Sequence, residues 1–401
     1  MEREIAYKIL CEVLLEGKYA SLQMKKDLKR LPKEKRGLVT ELVNGVLRHF
    51  YLLRYQFKDE IKEGTDKRYV IILCMAIYER LFLHKQSYTS NEYVSILKDK
   101  HDRSFINAIL RKERMLKEPD MSTDEGSATY YSLPLWLYKM LKAQYDKKML
   151  DIILDDLSHT PEVFYRINHQ KASYLDLEHL DIEVINEDSF TSKRNLIETK
   201  EFLEGYFYIQ DLNSAKIYKE LDLKKGDVFL DLCAAPGSKT FNALEHVDIS
   251  DAISNDMNPK RAKLIKDKAR ELGFGELLVT STDARAIDPK IIRRADKILI
   301  DAPCSGLGVL KRKPDIRYHL KPEDIDDLIV LQRSILEHTL EAMKEGAILV
   351  YSTCTLDTKE NSRMIKNVLK THPEMLLLEE KLYLDHPCAD RFYSAKLTKS
   401  A

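Results

Sequence analysis

The sequence predicts a multidomain chain in which an all-α bundle is followed by an α/β domain built on a parallel sheet. Three observations carry this. Apolar residues recur at three- and four-residue spacing through the first 118 positions, a turn-rich break follows near residue 120, and short apolar strands alternate with amphipathic helices after Gly226. With 401 residues, 44% hydrophobic and 32% charged, the chain is rich enough to bury cores in two or three domains and too apolar for disorder. The 13 glycines and 12 prolines, without a fixed period, exclude collagen-like and solenoid architectures.

In the bundle, Ile5, Ile9, Leu10, Val13 and Leu14 mark the first buried helical face. The run from Val70 to Leu83 is interrupted by Glu79 and Arg80 and is shorter than the roughly 20 residues that span a bilayer, so it predicts a buried core helix. Residues 119–127, Pro-Asp-Met-Ser-Thr-Asp-Glu-Gly-Ser, have turn composition and are expected to close a first domain at 1–125. A small α+β segment is expected over 126–215, with an aromatic-rich helix after Leu133 and strands at Val163 to Ile167, Ile182 to Ile185 and Tyr206 to Ile209. The third domain, 216–401, carries candidate strands at Val228 to Leu232, Ala252 to Ser254, Leu277 to Val279, Ile298 to Ile300 and Ile348 to Tyr351. Between them, Asn258-Pro259 opens a helix closed by Gly273, and Pro322-Glu323-Asp324 opens one ending at Gly346.

Sixty-five Lys+Arg balance 65 Asp+Glu, so the total charge points to no partner. Divided at residue 125 it becomes +5 and −5, which favours RNA for the basic helical part. The N-terminus alternates charge with apolar residues and lacks the pattern of a secretory signal. Six cysteines without CxxC spacing are too sparse for a disulfide framework or structural zinc, so a cytoplasmic protein without a metal is expected. Cys11, Cys74 and Cys388, which lack polar turn context, are read as packing residues.

In an open α/β sheet the ligand lies beyond the carboxyl ends of the strands. Asp231, Asp256, Asp283 and Asp301 follow four successive strands, and Cys304 and Cys354 lie just past the fourth and fifth. A single such Asp is more often a cap, but four at successive ends point to a site. The loop Asp231-Leu-Cys-Ala-Ala-Pro-Gly-Ser-Lys-Thr240 is neither a P-loop, because Ser238 separates Gly237 from Lys239, nor a dinucleotide fingerprint, because it has one glycine. A ligand with a ribose but no phosphate cradle fits, with Asp256 accepting from the ribose hydroxyls, and S-adenosylmethionine is such a ligand.

DLCAAPGSKT, DAPCSGLGVLKRKPDIRY and YSTCTLDTKEN resemble the cofactor loop, Pro-Cys motif and Thr-Cys motif of the NOL1/NOP2/Sun family of RNA cytosine-C5 methyltransferases, in the expected order. FYIQDLNS before the cofactor loop and FYRIN at 164–168 extend the likeness over residues 160–401. ELVNGVLRHF (41–50) and FINAILRK (105–112) resemble a NusB-like RNA-binding domain. The resemblance implies a Rossmann-like, class I S-adenosylmethionine-dependent methyltransferase domain behind that bundle, acting on ribosomal RNA, with 16S the expected partner; a monomer away from membranes is the default expectation. Ser238 replaces the family's usual second Gly, and Asn213 stands where Ser is common.

Carbon 5 of cytosine is a poor nucleophile, and a thiolate adding at C6 makes it enamine-like; a second group must then help release the enzyme. Two rim cysteines fit that division, and spacing alone does not say which attacks. The resemblance implies Cys354 as nucleophile and Cys304 as the residue assisting release. It also implies that Cys233, Ala234, Ala235, Pro236, Gly237, Ser238 and Lys239, with Asp256, Asp283 and Asp301, hold the cofactor, Asp283 near the adenine. Asp301 is further expected at the edge of an unstacked cytosine, and Lys311, Arg312, Lys313 and Arg317 near its flanking phosphates. Three other readings compete. A non-catalytic RNA-binding protein would leave the acids and thiols without a use, and an S-adenosylmethionine enzyme acting on transfer RNA, DNA or protein fits the helical domain less well. A thiol redox protein would need the two sulfurs within bonding distance and leaves the four aspartates unexplained.

Overall fold

The structure, a computed structural model, describes residues 1–84, 90–112, 115–157, 159–246 and 251–400. Met1–His159 and Leu310–Leu320 form one compact unit; Thr160–Val309 and Lys321–Ala401 form a second. Among the described residues no helix is long and apolar enough to cross a membrane.

The first unit is helical, and its core joins Glu2–Glu16, Lys33–Tyr55 and Lys67–Leu81 through residues such as Leu10, Val43, Leu47, Leu73 and Ile77. Val70 through Glu79 are all buried, as expected of a core helix. The exception in that run, Glu79, is neutralised by Arg3 at 2.7 Å and accepts from the Tyr93 hydroxyl.

The turn-like residues 119–127 cap a helix inside this unit, so the break expected at residue 125 falls within it. Thr123 Oγ1 accepts from Gly126 N at 3.0 Å and opens Asp124–Tyr130; Leu135–Gln144 and Lys147–Asp156 follow. These residues are tied to the bundle by a break in the Lys33–Tyr55 helix at His49 (φ −118°, ψ 16°). There the Leu52 N–H donates to Ser132 Oγ at 3.2 Å, and the Arg48 carbonyl that a regular turn would pair with Leu52 accepts from Arg317 Nη1 at 2.8 Å.

That bond corrects the expected phosphate-facing cluster. Arg317 and Lys311 are each 1% exposed. Arg317 also donates to the carbonyls of Tyr131 and Ser132, both at 3.3 Å, and Lys311 Nζ donates to Asp156 Oδ1 at 2.8 Å. Of the four only Lys313 is exposed, with Arg312 half-buried. Charge made these residues look like an RNA contact; their partners make two of them structural.

The second unit opens with a four-stranded antiparallel sheet, β1 (Phe164–Ile167), β2 (Ile182–Val184), β3 (Ser189–Ser192) and β4 (Phe207–Ile209), in order β2-β3-β1-β4. Tyr165, Phe190 and Phe207 pack its core. A seven-stranded sheet follows: β5 (Val228–Asp231), β6 (Asp251–Asn255), β7 (Leu278–Thr280), β8 (Lys297–Asp301), β9 (Ile348–Thr353), β10 (Met375–Tyr383) and β11 (Phe392–Lys399), in order β10-β11-β9-β8-β5-β6-β7. β5 to β9 are mutually parallel, and β11 and β10 add antiparallel strands beyond β9.

The helix Pro259–Leu272 has the predicted ends: Asn258 Oδ1 accepts from Lys260 N and Arg261 N, and Gly273 closes it at φ 96°. The helix Pro322–Ala342 stops four residues short of Gly346, whose φ of 73° serves the turn into β9 instead.

Candidate active site

The chain runs from β5 outward through β6 to β7, then crosses to β8 on the other flank of β5, so the topological switch lies between β5 and β8. Asp231 and Asp301 end those two strands.

Asp231 is fully buried. Its Oδ2 accepts from Thr240 Oγ1 at 2.7 Å, while Oδ1 is buried without a hydrogen-bond partner. Burial pushes its pKa up to about 7, against the opposing bond from Thr240. The following loop is fixed by Ala234 N donating to Asn255 O at 2.8 Å, and it turns at Gly237, whose φ of 103° leaves a Cβ 2.6 Å from the Phe241 ring. Cys233 lies among Asp231, Asp301 and Asp256, and burial first, then these carboxylates, push its thiol well up. Cys233 is therefore a neutral thiol within an acidic ring.

Lys239 reaches back from the helix Ser238–His246 to Asp301 Oδ2 at 2.6 Å. Burial disfavours its charge, but the Asp301 carboxylate outweighs burial and holds the ammonium above its usual pKa, with a smaller contribution from Cys354. Asp301 Oδ1 accepts from Ser352 Oγ at 2.8 Å. Lys239 thus joins the cofactor loop electrostatically to both strand exits that carry the thiols.

The Cys304 and Cys354 sulfurs are 3.3 Å apart. Both cysteines are free and partly accessible, and the separation is a hydrogen bond, well beyond the ~2.05 Å of a disulfide. The bond to Cys354, then burial, hold the Cys304 thiol well above its ordinary pKa, and either sulfur can donate in the contact. The sulfurs touch without being bonded, and a redox reading still gives the surrounding carboxylates no task.

Two loops bring the sulfurs together. Ala302 N donates to Ser352 O at 2.8 Å and Gly308 N to Cys354 O at 2.9 Å, bracketing the Pro-Cys loop against the Thr-Cys strand exit. A Cβ at Gly308 would lie 2.1 Å from Arg391 O and 2.8 Å from Cys354 O, so this close passage needs glycine. Beneath it, Glu360 Oε2 accepts from Ser305 N at 2.9 Å and Gln332 Nε2 at 2.8 Å; Oε1 accepts from Ser305 Oγ and, at 3.3 Å, from Thr355 Oγ1. Asn361 Nδ2 donates to Thr355 O at 2.9 Å, and Asn361 Oδ1 accepts from Thr353 Oγ1 at 2.6 Å.

The structure therefore gathers Asp231, Cys233, Lys239, Asp256, Asp301, Cys304 and Cys354. Asp256 also caps its own turn through Asn258 N and pairs with Arg261 at 3.1 Å. Asp283 lies three residues beyond β7, and its partners are local: it caps Arg285 N and pairs with that guanidinium at 2.6 Å, which lowers its pKa. A groove of about 880 Å³ on the small sheet, lined in part by Val163, Thr191, Arg194, Ile209 and His386, contains none of the predicted site residues. Sequence reasoning missed Ser305, Gln332, Thr355, Glu360 and Asn361. All but Gln332 lie inside the Pro-Cys and Thr-Cys motifs, where they look like ordinary polar turn residues until burial is known.

Two family models match the chain: one described as the NusB family over residues 1–113, and one described as 16S rRNA methyltransferase RsmB/F over residues 218–390. A Bacillus subtilis protein named probable ribosomal RNA small subunit methyltransferase B is 33% identical over 95% of this chain and 91% of its own length. A Yersinia pseudotuberculosis protein named ribosomal RNA small subunit methyltransferase B is 29% identical over 99% of this chain and 98% of its own. Among solved structures, PH0851 superposes with a TM-score of 0.78 at 22% identity, covering 99% of both chains. NSun6 from Pyrococcus horikoshii with SFG does so with 0.59 at 21%, covering 66% of this chain and 97% of its own. The structural likenesses concern the fold.

Proposed function

Because the chain belongs to the 16S rRNA methyltransferase RsmB/F family, we propose that it methylates carbon 5 of a cytosine in small-subunit (16S) ribosomal RNA, with S-adenosylmethionine as donor and Cys354 as covalent nucleophile. The thiol pair, 3.3 Å apart at the exits of β8 and β9, carries this reading.

The residues suit such a donor. The spare buried oxygen of Asp231, with Asp256 and Asp301 nearby, offers negative charge to a cationic ligand, and the tight loop Cys233–Lys239 allows close backbone approach. Asp256 and Asp283 are assigned to the ribose and adenine ends. The donor supplies an electrophilic methyl group on a sulfonium.

The protein's own residues activate the base. The Cys354 thiolate adds at cytosine C6, so electron density moves to C5 and the nucleophile becomes carbon. Cys354 is assigned the attack because it stands in the Thr-Cys motif; the 3.3 Å contact itself does not distinguish the two sulfurs. After transfer the C5 proton passes to the Cys304 sulfur acting as base and on to solvent, the C5–H electrons restore the C5–C6 double bond, and the C6–S bond breaks so that Cys354 leaves as thiolate. Asp301 retains lone pairs beyond its bonds to Lys239 and Ser352 with which to accept from cytosine N4. The NusB-family match supports RNA binding by the first unit.

The test is incubation of the full chain with methyl-labelled S-adenosylmethionine and undermethylated 16S RNA, followed by nucleoside mapping. Labelled 5-methylcytosine is expected; label absent, or on another atom, would sink the reading.

A further inference from the structure

We propose that Glu360 is a positioning residue that sets the separation of the two thiols by fastening the loop after β8 to the loop after β9. The proposal rests on the reading of Cys304 and Cys354 as the reacting pair.

Both sulfurs sit on irregular backbone beyond strand ends, where nothing in the sheet ladder fixes them. The bonds at Ala302 and Gly308 anchor the two ends of the Pro-Cys loop, which leaves Pro303 to Leu307 to be held from within. Ser305 is the midpoint of that span and the neighbour of Cys304. Its N–H and hydroxyl both donate to Glu360, on opposite oxygens. Thr355, the neighbour of Cys354, closes the link: its Oγ1 lies 2.6 Å from Ser305 Oγ and 3.3 Å from Glu360 Oε1. Gln332, from the helix Pro322–Ala342, bonds both Glu360 Oε2 and the Pro303 carbonyl at 2.8 and 2.9 Å. One side chain therefore touches the residue after each cysteine.

The chemistry of the group suits the task. Glu360 is fully buried, and among the described residues its side-chain hydrogen-bond partners are all uncharged. A buried carboxylate beside neutral partners is costly, and burial raises its pKa accordingly. What it offers in return is two acceptor oxygens for donors arriving from three directions, which an amide, with one acceptor atom, does not match. A misplacement of about 1 Å at a reacting centre costs on the order of 100-fold in rate.

The experiment compares wild type, Glu360→Ala, Glu360→Gln and Ser305→Ala as full chains. Steady-state methyl transfer separates kcat from KM. The pH dependence of the initial rate of Cys304 alkylation by iodoacetamide, followed by peptide mass spectrometry, reports the contact with Cys354 without any RNA or donor. Expected for Glu360→Ala is a fall of about 100-fold in kcat with KM for RNA and donor within about twofold. The Cys304 alkylation midpoint should drop towards that of a free thiol as Cys354 moves away. Glu360→Gln, which keeps one acceptor oxygen, should fall between wild type and Glu360→Ala in both. Should Glu360→Ala fail to fold, Ser305→Ala removes one link and is expected to show about a tenfold loss in kcat with a smaller drop in the midpoint. An unchanged Cys304 midpoint in a folded variant overturns the proposal, as does an unchanged kcat. If wild type forms no 5-methylcytosine, the functional reading fails while the alkylation arm still decides the positioning role.

Discussion

Replacing Asp231 by Asn should remove a pH-dependent penalty from the second unit. The carboxyl is fully buried, with one oxygen bonded to Thr240 and the other without a partner, and burial raises its pKa from 3.8 to about 7. An acid whose native pKa is raised stabilises the fold fully below its unfolded value, near 3.8, and loses that contribution as pH rises through about 7. The shift corresponds to about 4 kcal/mol in all, of which about 2.5 kcal/mol is lost between about pH 5 and pH 8. Asn keeps an acceptor for Thr240 but does not titrate. The difference in unfolding free energy, variant minus wild type, should therefore move by about 2.5 kcal/mol in favour of Asp231→Asn over that range. Urea titrations read by hydrogen exchange of peptides covering β5, β8 and β9 isolate this unit from the helical one. A difference that stays constant from pH 5 to pH 8 would show that Asp231 is ionised throughout and would refute the account of an orphaned carboxyl at the switch point.

Three further outcomes follow from the geometry. Cys354→Ala should abolish methyl transfer, whereas Cys304→Ala should accumulate a covalent protein–RNA adduct visible on denaturing gels; the reverse pattern would exchange their roles. Gly308→Ala places a Cβ 2.1 Å from Arg391 O; it should cost about 1–3 kcal/mol in chemical denaturation and reduce kcat far more than it alters binding. Lys311→Ala, which removes the ammonium that donates to the buried Asp156, should destabilise the helical unit by about 3–5 kcal/mol, with a Lys311→Met, Asp156→Leu double variant recovering most of it. If that well-folded double variant lost RNA affinity in a salt-dependent binding assay, Lys311 would be a phosphate contact after all.

The parts of the fold written in local chemistry were legible. Asn258-Pro259 and Gly273 name a helix by its ends because capping involves only adjacent residues, and the strands β5, β6, β8 and β9 appear as apolar runs because helices cover both faces. β10 was not legible. It is an edge strand whose Leu376 and Leu378 are half exposed, so its sequence shows neither alternation nor a buried run. The four aspartates were found by position, but position does not tell a free carboxylate from a capped one. Asp231 keeps an unbonded oxygen, whereas Asp283 is bonded to its own neighbour Arg285. Glu360 was illegible for the opposite reason. Its meaning lies in partners 5, 28 and 55 residues away, which no local pattern brings together.

The same distinction decides what the charge of this chain means. The zero total becomes +8 for the first unit, with 33 Lys+Arg against 25 Asp+Glu, and −8 for the second, with 32 against 40, once Leu310–Leu320 is counted where it packs. That segment brings four cations and one acid into the helical unit, yet two of the cations are consumed inside it, Lys311 on Asp156 and Arg317 on three carbonyls. Burial of Arg317 even lowers its pKa to about 10, a direction no phosphate-facing arginine shows. The positive surface available to RNA is therefore smaller than the formal count, and attraction to phosphate in bulk is a weak source of selectivity. The negative balance of the second unit includes Asp231, Asp256 and Asp301, gathered where a sulfonium would bind, which gains from charge that repels nucleic acid. A unit built this way does not draw RNA in by its field. Recognition has to come from local contacts, and the salt dependence of binding should be correspondingly shallow.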